Sequence, residues 1–249
     1  MLVPIPRASR EHRRPARSPL GSGARTYTLR VVTPAAKSGK PAAHAASRAF
    51  AEAFVPESDQ VALARRAARE MGLTPASTGT VAMLTFLARS VHARAVVEIG
   101  TGAGVSGLAL LAGMASDGVL TSIDPENEHQ VAARQVFNAA AVPSRRVRLI
   151  AGSALTVLPK LSDGGYDLVS VDGDPLEYVE YVAQALRLLR PGGVLVLHHA
   201  LWDNLVADAD NEDDEPTIIR EALEAIAAID EFTAVLLPVG DGLLAAIKG

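Results

Sequence analysis

The chain has 249 residues, 49% of them hydrophobic and 21% charged, a composition that excludes global disorder and fits a folded globular protein. It contains no cysteine, so disulfide scaffolds, thiolate zinc sites, iron–sulfur clusters and cysteine nucleophiles are excluded. The formal charge of −4 averages two unlike parts: residues 1–48 carry ten Lys and Arg against Glu11 alone, a balance of +9, and the rest, with 14 basic and 27 acidic residues, stands at −13.

Residues 1–45 mix Pro4, Pro6, Pro15, Pro19, Pro34 and Pro41 with Gly, Ser, Ala and Arg and show no apolar periodicity, which predicts a disordered basic arm. Clustered arginines can bind phosphates, but Tyr27 alone could stack on a base, so a nucleic-acid partner is not expected. An Arg-rich, acid-poor start also matches an organellar transit peptide, although the prolines spoil an amphipathic helix. No apolar segment of a secretory signal follows the arginines, and no run of about 18 apolar residues could span a membrane, so a cytoplasmic protein is expected.

From Ala46 the pattern is helical, with a break at Pro56; Val61, Leu63, Ala64 and Ala68 line one side of a helix ending near Gly72, and another helix follows Pro75. Residues 46–92 therefore read as a helical extension and 93–249 as the main domain. Within the latter, short apolar runs (Ala95 to Ile99, Val119 to Ile123, Val147 to Ile150, Tyr166 to Val171, Val194 to Leu197) alternate with helical stretches, the signature of a parallel sheet with crossover helices. Two last runs, Thr233 to Leu237 and Leu243 to Ile247, are joined only by Pro238 to Gly242, too short for a parallel crossover, and must pair antiparallel. The expected fold is α/β: a doubly wound, mostly parallel seven-stranded sheet with a C-terminal antiparallel hairpin. An acidic stretch from Asp208 to Glu215 precedes Pro216 and a helix, where carboxylates complement the N-terminal dipole and stay solvated.

The segment Val96 to Gly107 runs from a strand through Gly100, Gly102 and Gly104 into a helix. Glycines there let the backbone turn tightly beside a ligand, and the helix N-terminus offers free amides. Asp124 ends the next strand, where a carboxylate can accept ribose hydroxyls. This pattern suits a nicotinamide dinucleotide almost as well as S-adenosylmethionine. Glu98 inside the first strand, the Leu189-Arg190-Pro191-Gly192-Gly193 turn before the fifth strand, and the terminal hairpin favour the latter.

That combination resembles the class I S-adenosylmethionine-dependent methyltransferases with their Rossmann-like fold. Within them, Thr74 to Gly249 is similar to the cation-dependent O-methyltransferase family that includes catechol and caffeoyl-CoA O-methyltransferases, and the high arginine content resembles actinobacterial members. The resemblance rests on Thr74, Glu98-Ile99-Gly100-Thr101-Gly102, Ser106, Ser122-Ile123-Asp124, Gly152-Ser153-Ala154, Tyr166 to Asp172, and Leu201-Trp202. It implies S-adenosylmethionine as cofactor, lined by Thr74, Glu98, Gly100, Thr101, Gly102, Ser106, Asp124, Ala154 and Asp172, and a small phenolic or catecholic methyl acceptor near Asp172 and Trp202. It also implies Asp172 as a metal ligand, and the helices before Val91 as lid or homodimer elements.

Two departures stand out. Where the family places an Asp-Asn pair to complete the metal site, this chain has His198-His199, and the family's lysine base three residues after the aspartate is Pro175. Adjacent strand residues point to opposite faces, so Asp172, His198 and His199 could share a divalent ion only if the chain leaves the strand there, and imidazoles favour Zn, Fe or Ni over Mg. A second reading makes His198 a general base alongside Asp172, and a third makes the pair a packed or solvent-facing feature without chemistry. The rival functions are a nicotinamide-dependent oxidoreductase and a cofactor-binding protein that has lost catalysis.

Overall fold

The computed structural model describes residues 41–249, so all but the last five positions of the expected arm lie outside the described residues. Those five begin a helix, α1 (Pro41–Glu52). Proline suits the first helical position, because the N–H it lacks would find no intrahelical partner there. α2 (Asp59–Glu70) and α3 (Thr78–Ser90) follow, started by Ser58 and Ser77, whose side chains accept from the amides three residues on.

The remaining elements are β1 (Ala95–Ile99), α4 (Val105–Gly113), β2 (Val119–Asp124), α5 (Asn127–Ala139), β3 (Val147–Ala151), α6 (Ala154–Val157), β4 (Tyr166–Val171), α7 (Tyr178–Leu188), β5 (Leu189–Leu197), α8 (Asp214–Ala228), β6 (Phe232–Leu237) and β7 (Leu243–Lys248). They form one seven-stranded sheet in the order β3-β2-β1-β4-β5-β7-β6. The first five strands run parallel, and β7 is antiparallel to both β5 and β6. The expected doubly wound α/β sheet is therefore present. Its strand order reverses between β1 and β4, and a crevice opens beyond the C-terminal ends of strands at such a switch point.

Successive strand residues face opposite sides and build two cores. Val97, Ile99, Val169, Val171, Leu195 and Leu197 pack toward α7 and α8, whereas Val96, Leu120, Leu168, Val194 and Val196 pack toward α3, α4 and α5. One strand start differs from expectation. The Leu189 to Gly193 turn is drawn into β5 by pairing of Leu189 with Tyr166, and the register shifts before Leu168.

On the α4 side, the apolar alternation gives way near the strand ends to a row of buried polar residues: Ser122, Glu98, Ser170 and His198. Glu98 stands opposite Ser122 on β2 and Ser170 on β4. Ser122 donates to Glu98 Oε2 at 2.6 Å and lies 2.6 Å from Thr101 Oγ1, which accepts from Gln130 at 3.0 Å. Gln130 also donates to the Ile150 carbonyl. The network ties the segment after β1 to β2, β3 and α5 from beneath.

Burial pushes the Glu98 carboxyl up to about 7 from 4.5, despite the bond from Ser122. A carboxyl raised in the folded state binds more protons there than in the unfolded chain, so its contribution is full below 4.5 and is lost as pH rises through 7. Glu98→Gln keeps a polar partner for Ser122 without the charge. It is expected to gain stability over the parent near pH 8, on the order of 3 kcal/mol, and little near pH 5. Thermal melts at both pH values check this; parallel pH dependence in the two proteins would refute it.

Candidate active site

The backbone leaves β1 through Gly100, Gly102 and Gly104, all at positive φ (91°, 48° and 86°). At Gly100 the requirement is also steric, since a Cβ there would stand 2.0 Å from the Asp172 carbonyl oxygen. Gly104 is the N-cap of α4, so the loop delivers the first amides of that helix, and Ser106, to the crevice.

Asp124 holds the loop in place. Its Oδ2 accepts from the Thr101 and Gly102 amides, both at 3.0 Å, and its Oδ1 accepts from Glu126 N at 2.9 Å and meets His129 Nδ1 at 3.0 Å. A carboxylate offers about four lone-pair positions, and here protein groups take them all. Asp124, expected at the ribose, lines the crevice with these partners already in place, and the His129 side chain is the more exposed member of its pair with Asp124.

Two cavities adjoin across this carboxylate. One, about 170 Å³, is lined by Thr74, Gly100, Thr101, Gly102, Ser106, Asp124, His129 and Asp172, among others. The second, about 280 Å³, is lined by residues that include Gly100, Asp124, His129, Ser153, Ala154, Asp172, Glu177 and Tyr181. Eight of the nine expected cofactor positions thus come together. Glu98 does not; its side chain is fully buried beneath the loop. The glycine cradle, the free helix end and a divided cavity fit an extended cationic ligand with a carboxylate at one end and a ring at the other.

Beyond β5 the chain does leave the strand. His198 keeps the register, donating its amide to the Val171 carbonyl at 2.9 Å, and is 2% exposed. Its Nε2 lies 3.0 Å from Ser170 Oγ, and its Nδ1 is 3.6 Å from Asp172 Oδ2. His199 turns out with φ 49°. Its Nε2 is 3.3 Å from Asp172 Oδ1, and its Nδ1 is 3.1 Å from Asp241 Oδ2. Trp202 stands edge-on to it, ring centroids 6.0 Å apart.

The charges follow from these contacts. The bond to Asp172, aided by Asp241, raises His199 to about 9 against the pull of burial, so it is an imidazolium at neutral pH. Burial lowers His198, against the opposing pull of the Asp172 charge. Burial works to raise Asp172, but the two histidines outweigh it and keep the carboxyl low.

The donors do not fit a resident divalent cation. Among the described residues no group of three or more His, Asp or Glu side chains is arranged to hold one. Both His199 nitrogens already face carboxylates, and His198 directs Nε2 into the core. The expected Asp172, His198 and His199 metal trio is therefore not assembled, and His198 lacks the exposure of a general base. Pro175 has a local explanation: it opens a 3-10 turn, Pro175–Glu177, capped by Asp174 Oδ1, which accepts from Leu176 N at 3.0 Å.

Two residues here carry no sequence motif. Asp241 lies in the β6–β7 turn, whose shortness signals a hairpin but not its contacts. His129 follows Asp124 by five positions, in the first turn of α5.

A family model described as O-methyltransferase matches residues 53–248. A protein of Mycolicibacterium smegmatis named as an O-methyltransferase is 49% identical over 198 residues, covering 80% of this chain and 94% of its own. Among solved structures, a Corynebacterium glutamicum protein is 35% identical, covers 83% of this chain and 97% of its own, and superposes with a TM-score of 0.77. The O-methyltransferase TomG of Streptomyces achromogenes, involved in tomaymycin synthesis and solved with S-adenosylmethionine, is 30% identical with a TM-score of 0.74, covering 82% and 96%. These matches leave the nicotinamide reading of the glycine loop without support, and the chain belongs to the S-adenosylmethionine-dependent O-methyltransferase family.

Proposed function

We propose that the chain methylates a hydroxyl oxygen of a small phenolic or catecholic acceptor, and that it does so without a divalent cation. The observation that carries this is the His199 side chain held between Asp172 and Asp241, beside Trp202, where Asp172 also lines both cavities. In this reading the α4 amides and Ser106 hold the methionine carboxylate, Thr74 closes over that end, and the adenine lies by Ala154. Asp124 exchanges His129 for the ribose. Glu98 acts indirectly, by fixing Thr101.

S-adenosylmethionine supplies an activated sulfonium methyl, so what the protein must add is mainly orientation, which in favourable cases lowers a barrier by roughly 7–11 kcal/mol. Asp172 accepts a hydrogen bond from the acceptor hydroxyl and takes its proton as the new O–C bond forms and the methyl–sulfur bond breaks, S-adenosylhomocysteine leaving with the electron pair of the broken bond. The neighbouring imidazolium of His199 favours the oxygen that loses the proton. Trp202 gives the acceptor ring an aromatic edge to pack against. The base expected at His198 is thus reassigned to Asp172, and His198 serves as its buried support.

A homodimer belongs to the same reading. Phe50 on α1 and Phe54 just beyond its end are each 71% exposed and Phe86 on α3 is 65% exposed. Phe86, Val55 and Ala82 are shared by two apolar grooves. A second copy of the chain would cover such a surface. A cytoplasmic location, where S-adenosylmethionine is made, is proposed with it.

Methyl transfer to a catechol panel, followed by mass spectrometry, is expected to be insensitive to chelator. Asp172→Ala should lower kcat roughly a hundredfold and His199→Ala by about tenfold or more. Activity lost to chelator and restored by Mg would overturn the metal-free arrangement. Light scattering is expected to give a dimer for the parent and a monomer for Phe54→Glu/Phe86→Glu; a monomeric parent would refute the covered face.

A further inference from the structure

Glu52, the last residue of α1, bonds three parts of the chain at once. Its Oε2 accepts from Ser77 Oγ and from Gly79 N, each at 2.8 Å, at the start of α3. Its Oε1 accepts from Gly240 N at 2.6 Å, in the β6–β7 turn. Neither glycine at this junction leaves room for a side chain. A Cβ on Gly79 would lie 2.6 Å from Glu52 Oε2, and one on Gly240, which has φ +56°, would lie 2.7 Å from Thr80 Oγ1. These bonds, with Arg48 nearby, outweigh burial and keep the Glu52 carboxyl below its ordinary range.

The far side of the same turn grips the loop after β5. Asp241 Oδ1 accepts from Asp203 N at 2.7 Å, and its Oδ2 meets His199 Nδ1. The Asp241 carbonyl accepts from Leu201 N at 3.0 Å and the Gly242 carbonyl from Ala200 N at 3.1 Å. A Cβ on Gly242 would stand 2.5 Å from Leu201.

That loop needs the grip. His199, Trp202, Asp203 and Asn204 all have positive φ (49°, 43°, 51° and 69°), a backbone that bulky residues adopt only where their surroundings over-determine it. Between residues 199 and 203, the turn supplies four contacts that impose this shape: two from the Asp241 side chain and two from backbone carbonyls. Glu52 is what anchors the turn from behind.

We propose that Glu52 is a positioning residue of the active site: by fixing Gly240 it sets Asp241, and through Asp241 the placement of His199 and Trp202. The N-terminal helix α1 is then a working part of the site and not an appendage. This rests on the acceptor-side role given above to His199 and Trp202, but the geometry of the latch can be tested without any acceptor.

Trp202 is the single tryptophan of the chain, so emission excited where the four tyrosines absorb little reports on the strained loop. In the full chain, Glu52→Ala is expected to shift Trp202 emission to longer wavelength and raise its quenching by acrylamide, with S-adenosylmethionine affinity by calorimetry within about twofold of the parent. Gly79→Ala, which pushes the carboxylate aside, should reproduce the effect, and Glu52→Gln, which keeps one acceptor, should recover part of it. With a catechol that the parent methylates, Glu52→Ala should lower kcat/KM for the catechol roughly ten- to hundredfold. Unchanged emission and kinetics in Glu52→Ala, while His199→Ala is impaired, would overturn the latch and leave the site intact. Unimpaired turnover in His199→Ala would instead overturn the site, and the emission of Glu52→Ala would still decide the latch.

Discussion

The Asp124 carboxylate is the constraint on which the C-terminal edge of the sheet depends. It collects two amides of the glycine loop, one from its own turn and an imidazole from α5. Thr101 is 2% exposed, and a buried amide left without an acceptor costs about 1–3 kcal/mol. The loop folds back over β2 because its amides have this carboxylate to meet. From that follow the start of α4 at Val105, the approach of Gly100 to the Asp172 carbonyl, and the division of the crevice into two cavities that share Asp124. The polar row of Ser122, Glu98, Ser170 and His198 backs the same edge from the α4 side.

Much of this was legible in the chain. Alternating apolar residues mark strand faces, and the five-residue link from Pro238 to Gly242 admits only a hairpin, so all seven strands and their directions could be read. The glycine loop was legible because few other sequences carry a strand directly into positive φ. Two things were not. Period-two logic sends His198 and His199 to opposite faces, and only the φ of 49° at His199 brings both rings to Asp172. Asp241 is 42 positions from its imidazole, a pairing created by β7 lying beside β5, which no local pattern encodes. Glu98 shows a different limit: resemblance groups it with the cofactor positions, while in the fold its side chain is fully buried beneath the glycine loop and meets Ser122.

The pair His198-His199 and the proline at 175 make sense together. A divalent cation at this edge would need donors with free lone pairs, and a lysine three residues past Asp172 would add a further cation. Here Asp172 and Asp241 face an imidazolium that already neutralises one unit of their charge. A divalent cation and a lysine ammonium added near that ring would be repelled by it in a partly buried site. The backbone after Asp172, relieved of presenting a lysine, instead takes the 3-10 turn that Pro175 opens. That turn seats Tyr178, whose hydroxyl donates to the His198 carbonyl at 3.3 Å. In the proposed reading the site is organised around a protein-borne cation, and the placement of that imidazolium depends on the hairpin turn that carries Asp241.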